Sequence, residues 1–264
     1  MRTRLTTRPS SLQTDGSLQL HAPHAWSELS QRQLCYVLTV LTKRWTEWQM
    51  RTFLFSRLCG VKVLNEKKSG WLCETKLENG KKQRFYLQDW QIQSFCKVFD
   101  YIFDGGGADN RLEFIGKYKA VDVELHGVAF ANYLAADNFF QQFLQSDKTS
   151  LEPLREMARC LYLKPNGEEP DKIECTDAEL VGVFLWFTFI KGNFSKCFPH
   201  LFKPASGGFG EYDPRGAMDS QIRALTGGDI TKEAQIEQSD VWRALTELDA
   251  KAREAEELNK KLKS

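Results

Sequence analysis

The chain has 264 residues and a formal net charge of +1, and 42% of it is hydrophobic, with eighteen Phe and seven Trp. That much apolar material excludes a wholly disordered chain, and the near-neutral balance argues against a dedicated nucleic-acid coat. The charge is uneven all the same: residues 30–100 hold thirteen Lys/Arg against six Asp/Glu, and residues 101–228 hold thirteen against eighteen.

Residues 1–25 read as a disordered leader. Arg2, Arg4 and Arg8 give it early positive charge, but it lacks the apolar run that export needs, and Pro9, Asp15 and Gly16 break any targeting helix. A small α+β unit follows over 26–107. Ser30 with Gln33 forms a capping box that predicts a helix over 31–43, and Thr46 can cap a second helix that Gly60 stops. Three strand-like runs come next, at 61–64, 71–77 and 84–87, joined by Lys68-Ser69-Gly70 and by the hairpin dipeptide Asn79-Gly80. They predict an antiparallel meander in which Trp71, Cys73, Thr75 and Leu77 share a face. Asp89 is placed to cap a helix that Gly105-Gly106-Gly107 ends.

A helical unit is expected over 108–203. Its first twenty residues alternate like strands but are interrupted by Gly116 and Gly127, after which helical spacing takes over from Phe130 to Leu144 and from Leu151 to Leu163. Thr176 with Glu179 is a further capping box, and it launches the apolar run Leu180–Ile190. That run has eleven residues, whereas a membrane span needs about 20, so a buried helix without a membrane partner is expected. Residues 204–214 read as a linker and 215–264 as a helical tail. The fold class is α+β, predominantly α-helical, with a small antiparallel meander in the N-terminal half and a long terminal helix.

The tail is the most suggestive segment. Thr231 is a good N-cap, and from there Ile236, Trp242, Leu245 and Leu248 make a narrow apolar stripe among nine acidic and seven basic side chains between Asp229 and Ser264. A helix with so little apolar face points to a partner, so Ile236, Trp242, Leu245 and Leu248 are the candidate partner-binding residues, with self-association as a further use; the blander reading packs the helix on its own domain and leaves its polar end frayed. An alternative site lies in the front unit, where Lys43, Arg44 and Arg51 interleave with Trp45 and Trp48 as in nucleic-acid stacking platforms, with Arg57 further along the same helical pair. The blander reading packs both tryptophans in the core beneath a solvated basic face.

Other constellations give no chemistry. The seven cysteines stand singly, without C-x-x-C or a Cys/His spacing, which argues against zinc and fits a reducing cytoplasm. Gly207–Gly210 lacks the Lys-Ser/Thr of a phosphate loop. Cys197 and His200 are three apart, but Pro199 separates them among phenylalanines. Asp122 and Glu124 share a face with no evident acid partner. No catalytic residue, metal ligand or cofactor site is therefore expected, and the chain reads as non-enzymatic.

The phrases WSELSQRQL, FLFSRLCGVKVL, GVAFANYLAADNFFQQFL and MDSQIRALTGGDITKEA…VWRALTELDAKAREAEEL resemble proteins encoded in temperate-phage (prophage) tail gene clusters, of tail assembly chaperone type. The resemblance spans most of residues 26–262 and has no invariant catalytic motif. It implies expression in the cytoplasm of the bacterial host cell and binding of a tail tube or tape-measure protein during morphogenesis. The sizeable α+β front unit departs from small chaperones of this kind. With the residues, the resemblance makes a tail-assembly protein the leading expectation; a nucleic-acid-associated regulator using the basic N-terminal helices is the alternative.

Overall fold

The structure, a computed structural model, describes residues 3–6, 18–203 and 214–263. It divides into two compact units, Met1–Gly106 and Gly107–Ser264. The class is α+β and mostly helical, with three-stranded antiparallel sheets as the larger β elements.

In the first unit, strand β1 (Thr3–Thr6) runs parallel to β2 (Leu18–His21). Order therefore begins ahead of Trp26, which corrects the reading of residues 1–25 as a disordered leader: Leu18 and Leu20 are buried, as is Ala22. Two alternating leucines are enough to seat a short strand. The rest of that stretch lies outside the described residues.

Helix α1 (Gln31–Leu41) starts at the Ser30–Gln33 capping box, and α2 (Glu47–Leu58) starts at a second such box formed by Thr46 and Gln49. Each box satisfies backbone donors that the first helical turn leaves unpaired. The meander consists of β3 (Val61–Lys67), β4 (Gly70–Lys76) and β5 (Lys82–Gln88) in that order, all antiparallel. Cys73 pairs with Phe85 and Trp71 with Leu87, so the predicted alternation sets the register, while a bulge interrupts β3 between Val63 and Asn65. Helix α3 (Asp89–Cys96) is capped by Gln88, with Gln91 completing the box, instead of by Asp89. It passes into a 3₁₀ turn over Lys97–Ile102, where Phe99 leaves helical geometry. Leu34, Val37 and Leu38 of α1, Leu54 and Phe55 of α2, and Phe95 of α3 are buried in this unit, with Phe55 stacked on Phe95.

The second unit opens at Gly107, whose φ is +80°. A β-carbon there would sit 2.4 Å from the Phe189 nitrogen and 2.6 Å from the Leu185 oxygen, so only glycine fits. The ambiguous segment after it forms the short antiparallel pair β6 (Phe114–Ile115) and β7 (Tyr118–Ala120). Helices α4 (Phe130–Gln145) and α5 (Glu152–Leu161) follow, and β8 (Tyr162–Leu163) pairs with β7. Residues 162–163 thus leave the helix predicted to Leu163. Helix α6 (Asp177–Cys197) begins at the Thr176–Glu179 box and continues through Gly192, past the end of the apolar run at Ile190. Its Trp186, fully buried, donates to the Val123 carbonyl at 2.8 Å and meets Tyr162 edge-on.

The expected linker at 204–214 lies outside the described residues except for Pro214, which begins α7 (Pro214–Thr226). Helix α8 (Glu233–Glu237) follows a 3₁₀ turn capped by Asp229, and α9 (Val241–Lys263) completes the chain. The tail predicted as one helix from Thr231 is therefore broken. Around Ser239–Asp240 the backbone instead bridges to residues 128–130: Phe130 N–H donates to the Ser239 carbonyl and Val241 N–H to the Val128 carbonyl. Asp240 then caps anew, accepting from the amides of Trp242 and Arg243.

Candidate functional site

Helix α9 changes character along its length. Over its first two turns Val241, Ala244, Leu245 and Leu248 are buried and belong to the same core as α4, α5 and α6. Trp242 is half-buried: its indole N–H donates to the Glu124 carbonyl at 2.8 Å, its face stacks on His126 with centroids 4.9 Å apart, and its edge meets Phe194. Ile236 packs against that core from α8. The assignment of these four residues to a partner surface gives way to the blander reading of a helix docked on its own unit, since Leu245 and Leu248 are buried and Ile236 and Trp242 are partly buried against the same core. The stripe looked too sparse to bury itself because the aromatic partners that cover it come from α6, far away in sequence.

The middle of α9 is held by polar contacts. Asp249 accepts from the backbone amides of His200 and Leu201 at 2.8 and 2.9 Å. Glu256 faces Lys203 and His200, and the hydrogen bond from Lys203, joined by that from His200, holds its carboxyl below the usual range. Beyond this clamp the helix runs out of internal partners for its apolar residues. Leu258 is 61% exposed and Leu262 84% exposed, one turn apart on the same side.

The loop that receives Trp242 is built from the residues singled out as possible acids. Asp122 lies in this loop instead of on a strand; it accepts from the amides of Glu124 and His126 and from the His126 ring at 3.1 Å. Burial pushes the Asp122 carboxyl up, but these donors outweigh it and the net direction is down. Leu125, fully buried, has a φ of +64°, a left-handed conformation that costs a non-glycine residue about 1–2 kcal/mol. The geometry is that of a structural turn under a tryptophan.

In the first unit the four basic candidates separate. Lys43 and Arg44 are exposed at the α1–α2 corner. Arg51 is consumed internally: it pairs with Glu47 at 2.7 Å and Asp100 at 2.5 Å, donates to the Cys96 carbonyl and lies over the Phe103 ring. Its membership of a nucleic-acid surface is corrected accordingly. Arg57 sits at the other end of α2, about 15 Å of helix rise from its start at Glu47, with its guanidinium over Tyr36. The tryptophans do not lie in the core seam. Trp48 is 46% exposed, and Trp45 stacks at 4.4 Å on Phe53, itself 48% exposed.

Of the cysteines, Cys59, Cys73, Cys96 and Cys160 are buried while Cys35 and Cys197 are exposed. Burial pushes the Cys59 and Cys96 thiols up to about 12, the opposite of what a thiolate nucleophile needs. Cys197 turns to the Asn193 side chain and His200 to Glu256, so the two do not meet. Among the described residues no group of three or more His, Cys, Asp or Glu side chains could hold a metal ion, and no helix is long and apolar enough to cross a membrane. The chain matches no known family model, no curated protein and no solved structure.

Proposed function

We propose that the chain is a non-enzymatic tail-assembly protein of a temperate phage or prophage, acting in the bacterial cytoplasm, and that it binds a tail tube or tape-measure protein through the projecting end of α9. The observation that carries this reading is the exposure of Leu258 and Leu262 at the end of a helix whose first turns are anchored in a core. An anchored helix presents its free end at a fixed place, which lowers the ordering cost of binding a second helix. Long apolar helices such as those of a tape-measure protein are a natural match for a Leu-bearing helical face flanked by charge. The identity of the partner rests on the resemblance quoted above.

The test uses the purified full chain and a temperate-phage tape-measure protein. Leu258→Asp with Leu262→Asp is expected to weaken the complex by about thirtyfold, the equivalent of losing one hot-spot side chain at about 2 kcal/mol. Circular dichroism and melting temperature are expected to stay as in the parent chain. Unchanged binding by the folded double variant would remove this end of α9 from the interface.

The nucleic-acid reading keeps one specific support, the exposed Trp48 and Phe53 beside Lys43 and Arg44. Stacking and phosphate contacts of that kind lose affinity steeply with added salt, and apolar helix docking does not. A salt titration of the complex therefore separates the two readings.

A further inference from the structure

One cleft in the first unit takes in Arg57, one of the four basic candidates, without the exposed aromatics Trp48 and Phe53. It lies between the start of α1 and the end of α2, has a volume of about 290 Å³, and is lined by Arg32, Gln33, Tyr36, Arg57 and Leu58. Two arginines line it. No carboxylate stands within 4 Å of either among the described residues, whereas Arg51, Arg84, Arg155 and Arg159 are all paired with acids. Two positive charges held in one concavity repel each other unless an anion lies between them.

The lining constrains the anion further. Arg57 is held over the Tyr36 ring at 5.7 Å, which orients its planar guanidinium. The Tyr36 hydroxyl donates weakly to the Phe53 carbonyl at 3.5 Å. Burial, opposed by the Arg57 charge, pushes the Tyr36 phenol up, so it stays a neutral hydroxyl at physiological pH. Leu58 is buried, and with the Tyr36 ring it supplies apolar surface. The Gln33 oxygen is already engaged by Ser30 in the capping box, which fixes that wall.

From this we propose that the Arg32–Arg57 cleft binds a small phosphate monoester carried on a single ring-sized body. A phosphate monoester is close to a dianion at neutral pH, matching two guanidiniums better than a singly charged carboxylate does. The apolar lining accepts the organic body. The volume is at the lower end of small-molecule sites, which run from about 300 to 1,000 Å³, so a larger ligand is excluded from full enclosure.

The test is calorimetric titration of the full chain with phenyl phosphate, inorganic phosphate and benzoate at low salt. Saturable one-site binding of phenyl phosphate is expected, tighter than that of the other two. Arg32→Gln and Arg57→Gln are each expected to weaken it by about tenfold, as loss of a charge-assisted hydrogen bond would. Arg44→Gln, which alters an exposed arginine outside the cleft, is expected to leave it unchanged. The proposal is overturned if phenyl phosphate does not saturate, if inorganic phosphate or benzoate binds as tightly, or if Arg44→Gln weakens binding as much as the cleft variants do. Both cleft positions are exposed, and unchanged circular dichroism will show that the variants are folded.

Discussion

Trp242→Ala is expected to destabilise the second unit by about 3 kcal/mol, the lower end of the range for removing a large aromatic from a packed site. The loss has named parts. The indole bond to the Glu124 carbonyl disappears, and the stack on His126 and the edge contacts to Phe194 and Phe198 go with it. The Glu124 carbonyl is left to find another donor. Chemical denaturation of the full chain measures the effect. A stability change within about 0.5 kcal/mol, the usual range for a surface substitution, would mean that the tryptophan does not anchor α9 on its own unit.

Gly107→Ala is expected to cost on the order of 3 kcal/mol or more, because two separate penalties fall on one residue. The left-handed φ is unfavourable to any β-carbon, and this β-carbon would also overlap the backbone of α6 at Phe189 and Leu185. Gly105→Ala provides the comparison. Its φ of +75° is similar, but nothing stands within 4 Å of the added carbon, so only the conformational penalty of about 1–2 kcal/mol applies. Equal melting temperatures for the two variants would contradict the close approach at Gly107.

These two positions also show which parts of the fold were legible in the sequence. The capping boxes at Ser30 and Thr176, the Thr46 cap and the alternation of the meander are local signals, encoded within a few residues, and the structure follows them. The packing of α9 is not local. Its stripe of Val241, Ala244, Leu245 and Leu248 is narrow, and the rings that complete its burial, Phe194 and Phe198, lie more than forty residues earlier. A periodicity reading of the tail by itself cannot supply them. The break at Asp240 escaped for the same reason, since the backbone bridge to Ala129 that interrupts the helix joins residues far apart in the chain.

The candidate site was less legible than the fold. Charge counting brings Lys43, Arg44, Arg51 and Arg57 into one patch, yet Arg51 is paired with Asp100, 49 residues on in the 3₁₀ turn after α3. Arg32 stands four residues before Tyr36 on a capped helix, a spacing that places the two side by side. Burial preference favours packing the tryptophans of the basic stretch in the core, and the structure leaves Trp48 and Phe53 about half exposed. Such preferences describe residue types on average, and an exposed aromatic departs from them where a surface carries something other than stability.

The central claim is that α9 is one helix with two roles, a docked start and a presented end. Amide hydrogen exchange of the full chain, alone and with the tape-measure protein added, tests it most directly. Alone, the amides from Ala244 to Leu248 are expected to exchange at the slow rate of the core and those after Glu257 at a fast rate. With the partner, protection is expected to rise after Glu257 while the slow amides stay as they were. Protection that instead appears over Lys43–Phe53, or loss of the slow exchange from Ala244 to Leu248 on binding, would contradict it.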